Sequence, residues 1–105
     1  MLRGDVHRLR MPKGVGHEQH GHRLGVIVQA DELLPRSVIL VAPTSRRARA
    51  ATFRPEIEIG SERTRVLVEQ LGAMDGTRLG DRVGHLTTEE LWAVDDALLT
   101  VLGLR

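Results

Sequence analysis

The stretch LTTEELWAVDDALLTVLG, residues 86–103, reads as one amphipathic helix with both ends marked. Leu91, Val94, Leu98, Val101 and Leu102 recur at three-and-four spacing, which places them on one helical face. Thr87 and Glu90 fit a capping box, in which each side chain satisfies a backbone donor at the helix start. Leu86 and Leu91 supply the hydrophobic staple around that cap. Gly103 stands where a helix commonly ends, because glycine tolerates the left-handed conformation. Trp92 is expected in the core of this helix.

Upstream, the pattern changes to short strands. Val6 to Leu9 reads as a first strand, Leu24 to Val28 as a buried one, and Ser37 to Ala42 as another, rich in β-branched residues. Pro43 is expected to end the third, because proline cannot donate to a ladder. Glu56-Ile57-Glu58-Ile59 alternates as a half-buried strand does, and Gly60-Ser61 marks a turn. Arg65 to Leu71 supplies a further strand, running on towards Met74. Asp75-Gly76 is a turn signal, and Asp81 to Gly84 continues the irregular stretch. Two connections stand out: Arg10–His22, with Pro12, Gly14, Gly16 and Gly21, and a basic one over residues 45–54. A loop of roughly 12 residues exceeds hairpin length, and such loops are usually functional or disordered. Strands followed by one terminal helix favour a compact barrel or curled sheet with the helix covering an open face.

With 105 residues the chain has room for one domain, residues 1–105. Hydrophobic residues at 41% and charged residues at 28% fit a folded soluble protein. No apolar run approaches the ~18 residues of a membrane span. Arg3, Asp5, His7, Arg8 and Arg10 interrupt any signal-peptide core. Without cysteine there is neither a disulfide framework nor a thiolate metal site, and a cytoplasmic location is expected. The formal net charge is +1, but residues 1–55 hold ten Arg or Lys against four Asp or Glu, a net of +6. Residues 56–105 hold five against ten, a net of −5. Such asymmetry points to an anionic partner for the basic half, unless the fold interleaves the halves and neutralises them.

The densest polar cluster is Gly16-His17-Glu18-Gln19-His20-Gly21-His22-Arg23. A zinc reading fails on spacing: the helical motif needs histidines four apart, whereas His17 and His20 are three apart between glycines. No metal site and no cofactor are expected. There is no nucleophile elbow for Ser/His/Asp hydrolysis, and Gly14-Val15-Gly16 is too short for a nucleotide-binding fingerprint. Arg3-Gly4-Asp5 as an adhesion tripeptide is explained by chance. What remains is convergence of a histidine-rich loop, Arg23 and a basic loop on RNA. Cleavage by the RNA's own 2′-hydroxyl needs proton transfer, which His can perform, and donors for charge growing on phosphate, which Arg and hydroxyls can supply.

Arg3-Gly4-Asp5-Val6, Gly16-His17-Glu18-Gln19, Gly21-His22-Arg23, Val41-Ala42-Pro43-Thr44-Ser45 and Val66-Leu67-Val68-Glu69-Gln70 with Asp75 together resemble the MazF/PemK family of toxin endoribonucleases. Leu79, His85-Leu86 and the terminal helix keep the same order, so the likeness covers nearly the whole chain. It implies an SH3-like β-barrel, mainly β with a C-terminal helix, working as a homodimer. It implies metal-independent cleavage of single-stranded RNA to 2′,3′-cyclic phosphate and 5′-hydroxyl ends, halting translation. It also implies a cognate antitoxin whose disordered segment folds over the dimer. Carried over by position, Arg23 and Thr44 act on the scissile phosphate, and His17 and Asp75 are the proposed acid–base pair. Glu18, Gln19, Arg46, Arg47, Arg49 and Gln70 contact RNA, with Arg54 a further candidate in the basic loop. His7, His20, His22 and His85 are expected to be structural or solvent-facing, and Phe53 either stacks a base or packs. The chain departs from the pattern at Leu24, where many relatives have proline, and at Gly72, where the PemK-like branch carries a functional arginine. The alternatives are a non-catalytic toxin of the same fold acting on a protein such as DNA gyrase, and a barrel that binds RNA without cutting it.

Overall fold

The computed structural model describes residues 1–10 and 23–105. Among them are seven strands and one α-helix: β1 (Asp5–Leu9), β2 (Leu24–Ile27), β3 (Val38–Ser45), β4 (Glu56–Ile59), β5 (Glu62–Val66), β6 (Gly72–Asp75), β7 (Leu79–His85) and α1 (Thr88–Val101). Every ladder is antiparallel, in the order β4-β5-β3-β2-β1-β7, with β6 on the first half of β3. The ends of this path approach one another: a Cβ on Gly84 of β7 would lie 3.3 Å from Ile59 Cδ1 of β4. The sheet is therefore curled into a half-barrel, as expected for a mainly β chain with a C-terminal helix.

Strand alternation builds two apolar clusters from one sheet. Val26 and Val28 face the larger one, with Val6, Ala42, Ile57, Val66, Val68 and Leu86, and α1 adds Val94 and Ala97. Ile27 faces the smaller one with Ile39 and Val41, and Leu9, Leu34, Met74 and Leu79 pack onto it. Full burial of each Val or Ile contributes roughly 1.5–3 kcal/mol. Phe53 is half-buried and packs against the larger cluster.

The helix begins as its sequence dictates. Thr87 Oγ1 accepts from the Glu90 N–H at 3.1 Å, and the Glu90 carboxylate accepts from the Thr87 N–H at 2.9 Å. It ends in a Schellman motif at Gly103, whose φ is 69°. There the Leu104 N–H donates to the Leu99 carbonyl at 2.8 Å and the Gly103 N–H to that of Thr100 at 3.2 Å. Two expectations for this helix fail. Trp92 is 64% exposed rather than core, because at about 100° per residue it lies roughly 200° from Val94, the centre of the buried stripe. Leu102 is 55% exposed, since it is already the C-cap and the chain leaves the core face there.

Three strand expectations also change. Pro43 does not end β3, which runs on to Ser45. Its position explains the tolerance: β3 pairs with β6 through Val41 and with β5 only from Thr44. Proline's missing donor falls in the gap between those ladders, where its carbonyl still accepts from the Leu67 N–H at 2.8 Å. Residues 65–71 are not one strand. β5 stops at Val66, a 3-10 turn covers Val68–Gln70, and β6 follows. Val66, Leu67 and Val68 are all buried where the chain turns a corner of the half-barrel. Residues 81–84 are strand rather than irregular. β7 pairs with β1 through register shifts, and a Cβ on its Gly80 would lie 3.3 Å from Arg8, so close packing, not a turn, explains the glycine there.

Candidate functional site

Arg23 immediately precedes β2, and its carbonyl accepts from the Leu9 N–H at 2.9 Å. The β1–β2 ladder therefore fixes the backbone from which its side chain springs. β2 pairs with β3 so that Gly25 faces Pro43, which brings the next β3 residue, Thr44, to the same end of the ladder as Arg23. Thr44 is 4% exposed and opposite Val66 of β5. Neither the Arg23 guanidinium nor the Thr44 hydroxyl has a hydrogen-bond or ion-pair partner among the described residues. A cationic fork and a hydroxyl held on strands at one end of a ladder can stabilise charge on a phosphate group.

The basic loop leaves β3 at this same end. Ser45 Oγ accepts from the Arg47 N–H at 3.3 Å, turning the chain outward. The side chains of Arg47 and Arg49 have no carboxylate partner among the described residues, and both residues are exposed. Arg46 pairs with Glu62 at 3.2 Å, but each side chain is 63% exposed. Such a pair contributes little and opens readily to a polyanion. Arg54 behaves differently. Its Nε and Nη2 donate to Glu69 Oε2 at 2.9 and 2.7 Å, and its Nη1 to the Arg49 carbonyl at 3.2 Å. The expectation that Arg54 holds RNA is corrected: its guanidinium is committed within the fold.

Asp75 is not brought to Thr44 in the same chain. It pairs with Val38 at the opposite end of β3, six residues away, or about 20 Å along the strand. Its Oδ1 accepts from the Thr77 N–H at 2.9 Å and from the Thr77 hydroxyl at 2.8 Å. Those two donors hold its carboxyl below the usual range, which keeps it ionised and weakens it as a base. Gln70 closes the 3-10 turn beside β3 and is exposed. His17, Glu18 and Gln19 lie outside the described residues. Arg10 and Arg23, the described residues on either side of them in sequence, lie at the same end of the sheet, where the Leu9 N–H donates to the Arg23 carbonyl.

One cluster had no signal in the sequence. Asp5 is 3% exposed, and its Oδ1 accepts from His85 Nδ1 at 2.7 Å and Arg82 Nε at 3.1 Å. Its Oδ2 accepts from the Leu2 N–H at 2.8 Å. Burial pushes the Asp5 carboxyl up, but His85, the Leu2 amide and Arg82 outweigh burial and hold it below the usual range. Asp5 and His85 are eighty residues apart and meet only because β1 pairs with β7. Among the described residues no three His, Cys, Asp or Glu side chains converge so as to hold a metal ion, and no helix is long and apolar enough to cross a membrane.

Residues 2–102 match the profile of the family described as PemK-like, MazF-like toxin of type II toxin–antitoxin system. A candidate toxin of Mycobacterium tuberculosis is 37% identical over 106 residues, covering 99% of each chain. The fold is similar to that of an endoribonuclease in complex with its cognate antitoxin from a mycobacterial species. That likeness has a TM-score of 0.82 and 20% identity, covering 100% of this chain and 97% of that one. It is similar also to MazF in a MazE–MazF complex from Deinococcus radiodurans, with a TM-score of 0.81, 20% identity and coverage of 100% and 97%.

Proposed function

Because the chain belongs to the PemK-like, MazF-like family of type II toxin–antitoxin toxins, we propose that it is a sequence-specific endoribonuclease that cuts single-stranded RNA without a metal. What carries the reading is the placement of Arg23 and Thr44 at the same end of the β2–β3 ladder, neither side chain having a partner among the described residues, at the end from which the loop bearing the exposed Arg47 and Arg49 leaves β3.

The chemistry is transesterification. The ribose 2′-oxygen attacks the adjacent phosphorus and loses its proton to a base, while the 5′-oxygen departs and takes a proton from an acid. A 2′,3′-cyclic phosphate and a 5′-hydroxyl result, and no water is consumed. Arg23 neutralises charge growing on the non-bridging oxygens, a task for a group that stays protonated and so cannot serve as base. Thr44 adds a hydrogen bond to the same oxygens. His17 transfers protons near neutral pH. Asp75 lies about 20 Å along β3 from Thr44 in its own chain, so it is proposed as base only toward a phosphate held by the other protomer of the dimer. Asp75→Asn with full activity would remove it from that role. Arg46, Arg47 and Arg49 grip the backbone, with Glu18, Gln19 and Gln70 as further RNA contacts. With Phe53 half-buried against the core and no other aromatic than Trp92, charge and hydrogen bonds rather than aromatic stacking hold the strand.

In the same proposal the chain works in the cytoplasm as a homodimer, and a cognate antitoxin whose disordered segment folds over the dimer closes the RNA path. Growth arrest provides a cellular test. Induction without antitoxin should stop growth, and Arg23→Ala or Thr44→Val, purified and shown to be folded, should not. Arrest that survives both substitutions would instead favour a protein target such as DNA gyrase.

A further inference from the structure

The segment between β3 and β4, residues 46–55, has no helix or strand of its own, yet its far end is tied down closely. The Arg54 N–H donates to the Ala51 carbonyl at 3.0 Å, and the Val66 N–H donates to the Pro55 carbonyl at 2.9 Å. Arg65 Nη1 donates to the Arg54 carbonyl at 3.1 Å. The Arg54 guanidinium then spans two elements at once, Glu69 on the 3-10 turn and the Arg49 carbonyl in the middle of the loop. Arg54 and Glu69 side chains are only 25% and 24% exposed. Glu69 Oε1 is buried without a hydrogen-bond partner, so the charge of this carboxylate rests on Arg54. Burial pushes the Glu69 carboxyl up, but Arg54 outweighs burial and holds it below the usual range, so the pair is ionised at neutral pH.

We infer that Arg54 and Glu69 form a brace that fixes the backbone at Arg49 and thereby presents Arg47 and Arg49 to a polyanion in a pre-set arrangement. Both are positioning residues; neither touches the reacting phosphate. This rests on the ribonuclease reading for the identity of the polyanion, RNA, but not for the brace itself. A planar guanidinium can serve two acceptors on separate edges, whereas a lysine ammonium in its place lacks the fork that does so. With the brace gone, the loop must be ordered at the moment of binding, and that cost weakens affinity without altering the strand-borne groups at Arg23 and Thr44.

The prediction is a split between kinetic constants. Glu69→Ala should raise KM for a single-stranded RNA about tenfold, the equivalent of one charge-assisted hydrogen bond, with kcat within about twofold of wild type. Glu69→Gln, which keeps an acceptor oxygen, should fall between. Arg54→Lys, which keeps the charge opposite Glu69 but loses the fork, should also raise KM, and it decides the matter if Glu69→Ala fails to fold. Amide hydrogen exchange over residues 46–51 should accelerate in the Glu69 and Arg54 variants, a readout that requires no cleavage. Unchanged exchange and unchanged KM in Glu69→Ala and Arg54→Lys would overturn the brace, as would kcat falling while KM stays fixed. A wild-type protein that leaves RNA intact would sink the ribonuclease reading, and loop exchange would then judge the brace alone.

Discussion

Gly25→Ala tests the packing that holds Arg23 in place. Gly25 sits in β2, two residues after Arg23, facing His7 of β1 and Pro43 of β3. A Cβ there would lie 2.6 Å from Val41 Cγ1 and 2.8 and 3.1 Å from the two Leu9 methyls. Carbon atoms pack comfortably at about 3.5–4.0 Å, so all three contacts are too short. Val41 is 1% exposed and stiff at its branched Cβ, and both Val41 and Leu9 are hemmed in by the cluster around Ile27 and Ile39. Overpacking of this kind costs about 1–3 kcal/mol. At about 2 kcal/mol, Tm falls by roughly 8–16 °C, given some 4–8 °C per kcal/mol in a domain of this size. Circular dichroism melts of wild type, Gly25→Ala, Val41→Ala and the double variant form the cycle. Val41→Ala alone opens a cavity and is destabilising, but it also removes the clashing methyl. The double variant should therefore be more stable than the sum of the singles by about 1 kcal/mol or more. Gly72→Ala is the contrast, since a Cβ there meets nothing within 4 Å; by restricting the unfolded chain it should stabilise by about 0.4–1 kcal/mol and raise Tm by roughly 2–8 °C. Gly25→Ala with a wild-type Tm, or strict additivity, would mean that the space between Val41 and Leu9 accommodates a methyl group.

Asp5→Asn should flatten the acid limb of stability. A carboxyl whose pKa is depressed on folding contributes stability that is present above its unfolded value, about 4, and is lost as pH falls below it. Tm against pH should thus be shallower below about pH 4 in Asp5→Asn than in wild type, and parallel curves would contradict the assignment. Gly103→Ala, which forces a Cβ into the φ of 69° at the helix end, should cost about 1 kcal/mol in thermal unfolding. Thr87→Ala, which strips one half of the capping box, should cost about 1 kcal/mol and be largely restored by Thr87→Ser.

The terminal helix was readable to its ends because its signals are local: a cap three residues wide and a glycine at a left-handed turn. Trp92 was misplaced because hydrophobicity argues for burial, while the phase set by Val94 and Ala97 argues against it, and phase prevails. Pro43 and Gly80 are tolerated inside strands for a shared reason. Each is ordinarily a breaker, and its tolerance depends on a neighbour supplied by another part of the sheet: the gap between β5 and β6, or the backbone of Arg8. The placement of Arg23 and Thr44 at the same end of one ladder follows from the β2–β3 register, which no spacing in the chain discloses. Arg54 illustrates the limit most clearly. In sequence it is one arginine of a basic run; in the fold, Glu69 fifteen residues on removes it from the ligand-facing set.

Metal-independent RNA cleavage by this chain is checked by incubating a long single-stranded RNA with the purified, antitoxin-free protein in EDTA and identifying the new ends. Discrete cuts bearing 2′,3′-cyclic phosphate and 5′-hydroxyl ends, absent with a folded Arg23→Ala variant, are the predicted result. RNA left intact by the folded wild-type protein, or cuts that persist unchanged in Arg23→Ala, would contradict it.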